Sequence, residues 1–139
     1  MDYELHIKYK DVNLTPELRK MFADVVNSDT TLKKTLFTIG QHTLKKEDHF
    51  GITIKEITER VVLERRKMIG KSKKYEIVKT NIDRKSAERT VDRLLSMGLC
   101  YYRSVPPSKV INITTRGKEV LAELKKLLKG EDIDVKGGE

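Results

Sequence analysis

Cysteine is almost missing from this chain: Cys100 is the only one among 139 residues. One thiol cannot close an intramolecular disulfide, so no disulfide framework is available to the fold. Long apolar runs are missing too. No stretch of 18 apolar residues occurs, which excludes a conventional membrane-spanning helix from the sequence reading. The opening MDYELHIKYK is not apolar enough for a secretory signal, and a cytoplasmic protein is the expectation. Catalytic signatures are equally scarce. The chain carries no glycine-rich phosphate loop and no Ser/His/Asp pattern, and an enzyme is not expected. The three histidines, His6, His42 and His49, have no metal-ligand spacing, although His42 and His49 lie seven apart with Glu47 and Asp48 close by. No metal and no cofactor are expected. There is no internal repeat and no low-complexity tract.

What the chain has is basic charge, and that charge is segregated. Residues 1–50 hold 8 basic and 8 acidic side chains, residues 51–129 hold 20 against 9, and residues 130–139 hold 1 against 4. The middle segment therefore carries all of the net +8 and more. A concentrated excess of this kind is the footprint expected for a polyanionic partner. The hydrophobic fraction of 37% suffices for one modest core.

Periodicity divides the chain into elements. Tyr3, Leu5, Ile7 and Tyr9 alternate with Glu4, His6 and Lys8, which predicts a half-buried strand. Thr15-Pro16 reads as a helix start, followed by Leu18, Met21, Phe22, Val25 and Val26 at helical spacing. Asp29 can cap a second helix bearing Leu32, Leu36, Phe37, Ile39 and Leu44; Lys45 to Asp48 reads as a loop. A short extended piece at Phe50–Thr53 precedes the capping box Thr53-Ile54-Lys55-Glu56. The helix it opens is expected to run into Glu64-Arg65-Arg66-Lys67.

Residues 70–80 have poor helical periodicity and read as a loop or short strand. Asn81 or Asp83 can cap the next helix, whose stripe is Ala87, Val91, Leu94 and Leu95, ended by Gly98. Leu99–Arg103 and Val110–Ile113 form a hairpin across Val105-Pro106-Pro107-Ser108. Thr114 or Thr115 caps a last helix with Val120, Leu121, Leu124, Leu127 and Leu128 on one face, ended by Gly130.

The segment DRKSAERTVDRLLSMGLCYYRS, the hairpin after it and then ITTRGKEVLAEL resemble the winged helix-turn-helix family in the manner of the MarR-like regulators. The matching features are a polar helix start, an apolar stripe, Met-Gly-Leu at the helix end, a β wing and Thr-x-x-Gly opening the next helix. The likeness spans a little over half of the chain. It implies a mainly α fold with a small β wing (α+β), preceded by an N-terminal strand and helices. Three regions are expected: 1–50 for dimerisation or core, 51–129 for DNA binding with a basic insertion at 64–80, and 130–139 as a disordered acidic tail.

The major groove admits one helix, whose outward face must offer long donors. Arg84, Lys85, Ser86, Arg89 and Arg93 avoid the apolar stripe, and the resemblance makes this the recognition helix. Arginine can pair bidentately with guanine, while Lys85 and Ser86 suit phosphate contacts. Arg103, Ser108 and Lys109 would lie on the wing, over backbone or minor groove.

The family has a short turn between its two DNA-binding helices, whereas here Val62 and Asp83 are far apart. The insertion holds Arg65, Arg66, Lys67, Lys71, Lys73, Lys74 and Lys79 against Glu64 and Glu76. Either a helix extends and a basic loop projects, or an extra element is inserted; in both cases it is read as an arm on the DNA backbone. Tyr75, Tyr101 and Tyr102 offer stacking surfaces, two of them at hairpin core positions. Cys100, between Leu99 and Tyr101, reads as a buried structural thiol.

The resemblance implies a homodimer on double-stranded DNA, reading half-sites about one helical turn apart. The seam falls in 1–50 or on the last helix. A sequence-specific transcriptional regulator is the leading reading. A centromere-binding partition adaptor of the TubR kind, with a filament-forming partner, is an alternative. So are a plasmid or phage replication initiator and a winged protein-interaction module.

Overall fold

A threonine followed by proline opens the first long helix of the molecule. In the computed structural model, which describes residues 3–45, 51–71 and 74–136, helix α2 spans Pro16–Asn27. Thr15 caps it, accepting from the Leu18 amide. Helix α3, Thr30–Lys45, starts under Asp29, whose carboxylate accepts from the Leu32 amide at 3.1 Å. Before both lies α1, Tyr3–Lys8, and after them β1, Ile52–Thr53, and α4, Ile54–Arg60. Strands β2, Val62–Met68, and β3, Tyr75–Asn81, follow. The chain then enters α5, Arg84–Ser96, strands β4, Cys100–Val105, and β5, Ser108–Ile113, and finally α6, Thr115–Lys136. The fold is mixed α and β, 56% helix and 24% strand, as the mainly α, α+β expectation required.

Two small antiparallel sheets form. One has the order β1-β5-β4, with Ile52 opposite Ile111 and Cys100 opposite Ile113. The other is the isolated β2–β3 hairpin. Helix α3 is the hub, packing on α2, α4, α5, α6 and β5. Leu36 and Ile39 from α3, Ile57 from α4, Leu94 and Leu95 from α5, Ile111 from β5 and Leu124 from α6 are all fully buried in one core.

Geometry requires glycine at Gly98 and Gly117, as it does at Gly51, where a Cβ would meet the Ile111 carbonyl oxygen. Gly98 has φ +74° and turns α5 into β4. A Cβ at Gly117 would collide with the Leu99 carbonyl oxygen, so α6 can approach β4 this closely only with glycine there. Thr114 caps α6, its hydroxyl accepting from the Gly117 amide at 3.1 Å while donating to the Gly98 carbonyl at 2.8 Å.

Several expectations are corrected. Residues 3–8 are helix, not strand. Leu5 and Tyr9 are four apart and share a helix face as readily as a strand face. The segment beyond them is tied to α6: Arg116 Nη1 donates to the Tyr9 and Val12 carbonyls at 2.7 and 3.2 Å. Helix α4 stops at Arg60 and does not run on into the arginines. Val61 turns extended, and Asn81 Nδ2 donates to the freed carbonyls of Thr58 and Glu59 at 2.8 and 3.0 Å. Of the two readings of 70–80, loop or short strand, the second holds from Tyr75 on: Tyr75–Asn81 is β3, paired over seven rungs with β2, so the insertion is an extra element and not an extended helix.

Helix α6 passes through Gly130 to Lys136, so that glycine is not its end and 130–136 is not a disordered tail. Glycine stops a helix where it turns left-handed, as Gly98 does after α5 at φ +74°. Of the loop expected at 45–48, Lys45 is the last residue of α3; the rest, together with His49, Phe50 and Lys73, lies outside the described residues.

Helix α2 also differs from its expected packing. Ala23 and Val26 are its buried residues, while Leu18, Met21 and Val25 stay exposed.

Candidate functional site: a basic helix between two hairpins

Helix α5 sits where it does because of its two faces. Ala87, Thr90, Val91, Leu94 and Leu95 are buried, which leaves Lys85, Arg89 and Asp92 pointing outward and Arg93 and Arg84 on opposite flanks. Its cap is Asp83, not Asn81. The Asp83 carboxylate accepts from the Ser86 amide at 3.1 Å and from its hydroxyl at 2.7 Å. These bonds, with a contribution from Arg65, hold the Asp83 carboxyl down at about 2. Asn81 instead closes α4, as described above.

The predicted recognition residues fall into two groups. Lys85 and Arg89 have no ion-pair partner among the described residues. The others are occupied. Arg84 Nε bonds Glu88 Oε1 at 3.1 Å one turn on, Arg93 Nη1 reaches Asp29 Oδ2 at 3.1 Å, and Ser86 serves the cap. All of these pairs are exposed, so they hold weakly and can be exchanged for another anion.

Clefts run along both flanks of α5. One, of about 760 Å³, lies between α5, the start of α3 and β2, and is lined by Lys34, Arg65, Ser86, Arg89 and Arg93 among others. The second, of about 540 Å³, separates α5 from the start of α4 and the β4–β5 turn, with Lys55, Arg84, Ser108 and Lys109 on its walls. Lys109 Nζ lies 4.3 Å from the centroid of the Tyr102 ring, a cation–π contact that holds the lysine at the turn. Arg103 is exposed on β4 opposite Val110, away from both clefts. Lys34 and Lys55 were not anticipated. Their signal was faint, since both lie near helix starts and outside the basic insertion at 64–80.

The basic insertion is the β2–β3 hairpin. Its base is fixed to the body. Leu63 is buried, Ile82 donates its amide to the Val61 carbonyl at 2.9 Å, and Arg65 Nη2 pairs with Asp83 Oδ1 at 3.3 Å. Arg66, Lys67, Lys71, Lys74 and Lys79 are exposed and have no ion-pair partner among the described residues. Lys73 lies outside those residues. Among the described insertion residues, Arg65 is thus the one with an ion pair to the body.

Of the remaining titratable groups, Cys100 is fully buried, and burial pushes its thiol far up, which fits a structural residue. His42 is also buried, with Nε2 3.5 Å from Glu56 Oε2. Partial burial works against ionising Glu56, but the Thr53 amide and hydroxyl, with His42 and Arg60, outweigh it and hold its carboxyl below the usual range. Among the described residues, no three His, Cys, Asp or Glu side chains converge as a metal site would require, and no helix is long and apolar enough to cross a membrane.

No protein-family model matches the chain, and comparisons with curated proteins and with solved structures found no match.

Proposed function

We propose that this protein is a dimeric DNA-binding protein of winged helix-turn-helix architecture, with α5 as the recognition helix and β4–β5 as the wing. The observation that carries the reading is the placement of the free cations. Lys85 and Arg89 face outward on a helix flanked by a basic hairpin on each side. A major groove about 12 Å wide takes one such helix, and the flanking hairpins then meet phosphates on either side of it. The β1-β5-β4 order and the run from α3 to α5 agree with the resemblance stated above. The reading is of a binding protein, not an enzyme, and its partner is duplex DNA.

Within this class a sequence-specific transcriptional regulator is the first choice. A partition adaptor that coats iterated sites is the second, favoured by the extra basic hairpin, which adds sequence-independent backbone contacts.

Fluorescence anisotropy with a random-sequence duplex and with DNA from upstream of the protein's own gene tests the reading. A chain that neutralises about six phosphates loses about a thousandfold in affinity between about 50 and 200 mM salt. Replacing both Lys85 and Arg89 with alanine should weaken binding at least tenfold and flatten that salt dependence by about two phosphate contacts. Absence of binding by the native chain at low salt overturns the reading. Cooperative spreading on repeated sites would select the partition adaptor over the regulator.

A further inference from the structure

The β2–β3 hairpin carries more than charge. Residues directly opposite each other in an antiparallel pair share a face. One face holds Leu63, Arg65 and Val78, and at its base this face is turned toward the body, where Leu63 is buried and Arg65 meets Asp83. The other face holds Arg66 opposite Ile77 and Met68 opposite Tyr75. Those apolar side chains are open to solvent: Met68 is 55% exposed, Tyr75 59% and Ile77 69%. Met68 and Tyr75 form the last rung and Ile77 lies two rungs nearer the base, and no other described element covers them. Seven-residue strands reach about 20 Å from the base. A bare two-stranded ribbon gains little stability from such residues in water.

The occupant that fits an apolar end on a basic shaft is nucleic acid. Its phosphates answer Arg66, Lys67, Lys74 and Lys79, and its base stack is an apolar interior reached between those phosphates. We infer that the β2–β3 ribbon is a DNA-bending arm, with Met68 and Tyr75 as a wedge inserted between base steps. This rests on the proposed reading of α5. With α5 in the major groove, an arm on its flank crosses one backbone into the neighbouring minor groove. Apolar wedges that enter from that side partly unstack a step and kink the duplex away from it. The wedge adds little sequence information, and the bend selects deformable steps instead.

The test measures bending and affinity on the same complex. A duplex of about 40 base pairs, labelled at both ends for energy transfer and carrying 2-aminopurine at its central steps, is titrated with the native chain and with the Met68→Ser/Tyr75→Ser double variant. The native chain should bend the duplex by about 20–90° and raise the 2-aminopurine signal. The double variant should bind within about threefold, since the charges are untouched, yet leave the duplex straight. Met68→Leu alone should preserve the bend. Both variants alter exposed side chains, and circular dichroism verifies their fold.

A straight duplex under the native chain, or equal bending by the double variant, overturns the arm and leaves the DNA-binding reading standing. If the double variant instead changes the oligomeric state in light scattering and not the bend, the ribbon end is a contact between copies, and the inference is wrong. Failure of the native chain to bind any duplex at low salt overturns both readings together.

Discussion

Asp83 does two jobs with one carboxylate. It caps α5 through Ser86 and anchors β2 through Arg65. Both favour its ionised form, which explains a pKa depressed from the ordinary 3.8 to about 2. A carboxyl with a depressed folded-state pKa contributes stability that is complete above its unfolded value and lost as pH falls through the folded one. Asp83→Ala should therefore lower Tm at neutral pH. The gap to the native protein should narrow between 3.8 and about 2, as the native carboxyl protonates. Thermal melts across that window decide it; a gap that stays constant to the acid end would show that the carboxylate's charge contributes nothing. Glu56 follows the same sign: its capping-box bonds to Thr53 belong to the ionised form and weaken on acidification. Its partial burial opposes this, so its share is the smaller.

At the level of elements, α5 was legible in advance because every signal for it is local. Asp83 marks the start, Ala87, Val91, Leu94 and Leu95 mark the buried side, and Gly98, at φ +74°, marks the stop. The β4–β5 hairpin was legible for the same reason, being two apolar runs around a double proline. The β2–β3 ribbon was not. A two-stranded ribbon with most of both faces in water need not alternate apolar with polar, and Arg66 stands in the same row as Met68. Its turn also lacks the residue pairs that announce a tight hairpin. Helix α1 was misread because six residues hold too few repeats to separate a period of 2 from one of 3.6.

The candidate residues could be named from the sequence by type alone. Which of them are occupied was not readable, since Asp29 lies 64 positions from Arg93 and only the fold joins them.

The buried side of α5 contributes five residues that the structure fully or nearly fully buries. Leu94 is fully buried in the core, on a helix that packs against α3 and α4. Leu94→Ala removes its packing and leaves a cavity, at a cost of about 3 kcal/mol. Urea unfolding should show the midpoint falling with the slope unchanged; a loss under about 1 kcal/mol would mean that α5 is loosely docked.

At the scale of the whole molecule, the proposed dimer needs a seam, and an exposed stripe on α2 is suited to it. Leu18, Met21 and Val25 lie at i, i+3 and i+7 along α2, roughly 40 to 50% exposed. On α6, by contrast, Val120, Leu121 and Leu124 are spent inside the monomer, and Leu127 alone of the expected stripe is exposed, at 36%. Of the two seams considered from the sequence, the proposed dimer therefore uses α2. A two-fold axis sets this stripe against its own copy, the isologous arrangement that palindromic half-sites demand. Met21→Glu should convert the dimer to a monomer in light scattering while leaving circular dichroism unchanged. A native chain that is already monomeric at high concentration would remove α2 from this role.

The ribbon enters and leaves the body at one place. Val62 and Asn81 face each other across the first rung, and partners in such a rung have Cα atoms about 5 Å apart. Everything beyond them is a detour that returns to its starting point. A chain in which Glu64–Lys79 is replaced by a two-residue turn would keep Leu63, the Asn81 cap and the Asp83 cap in place. The arm is in this sense a cassette: it can be lengthened, exchanged or removed by cutting at a single stem, with the helices on either side still able to find each other.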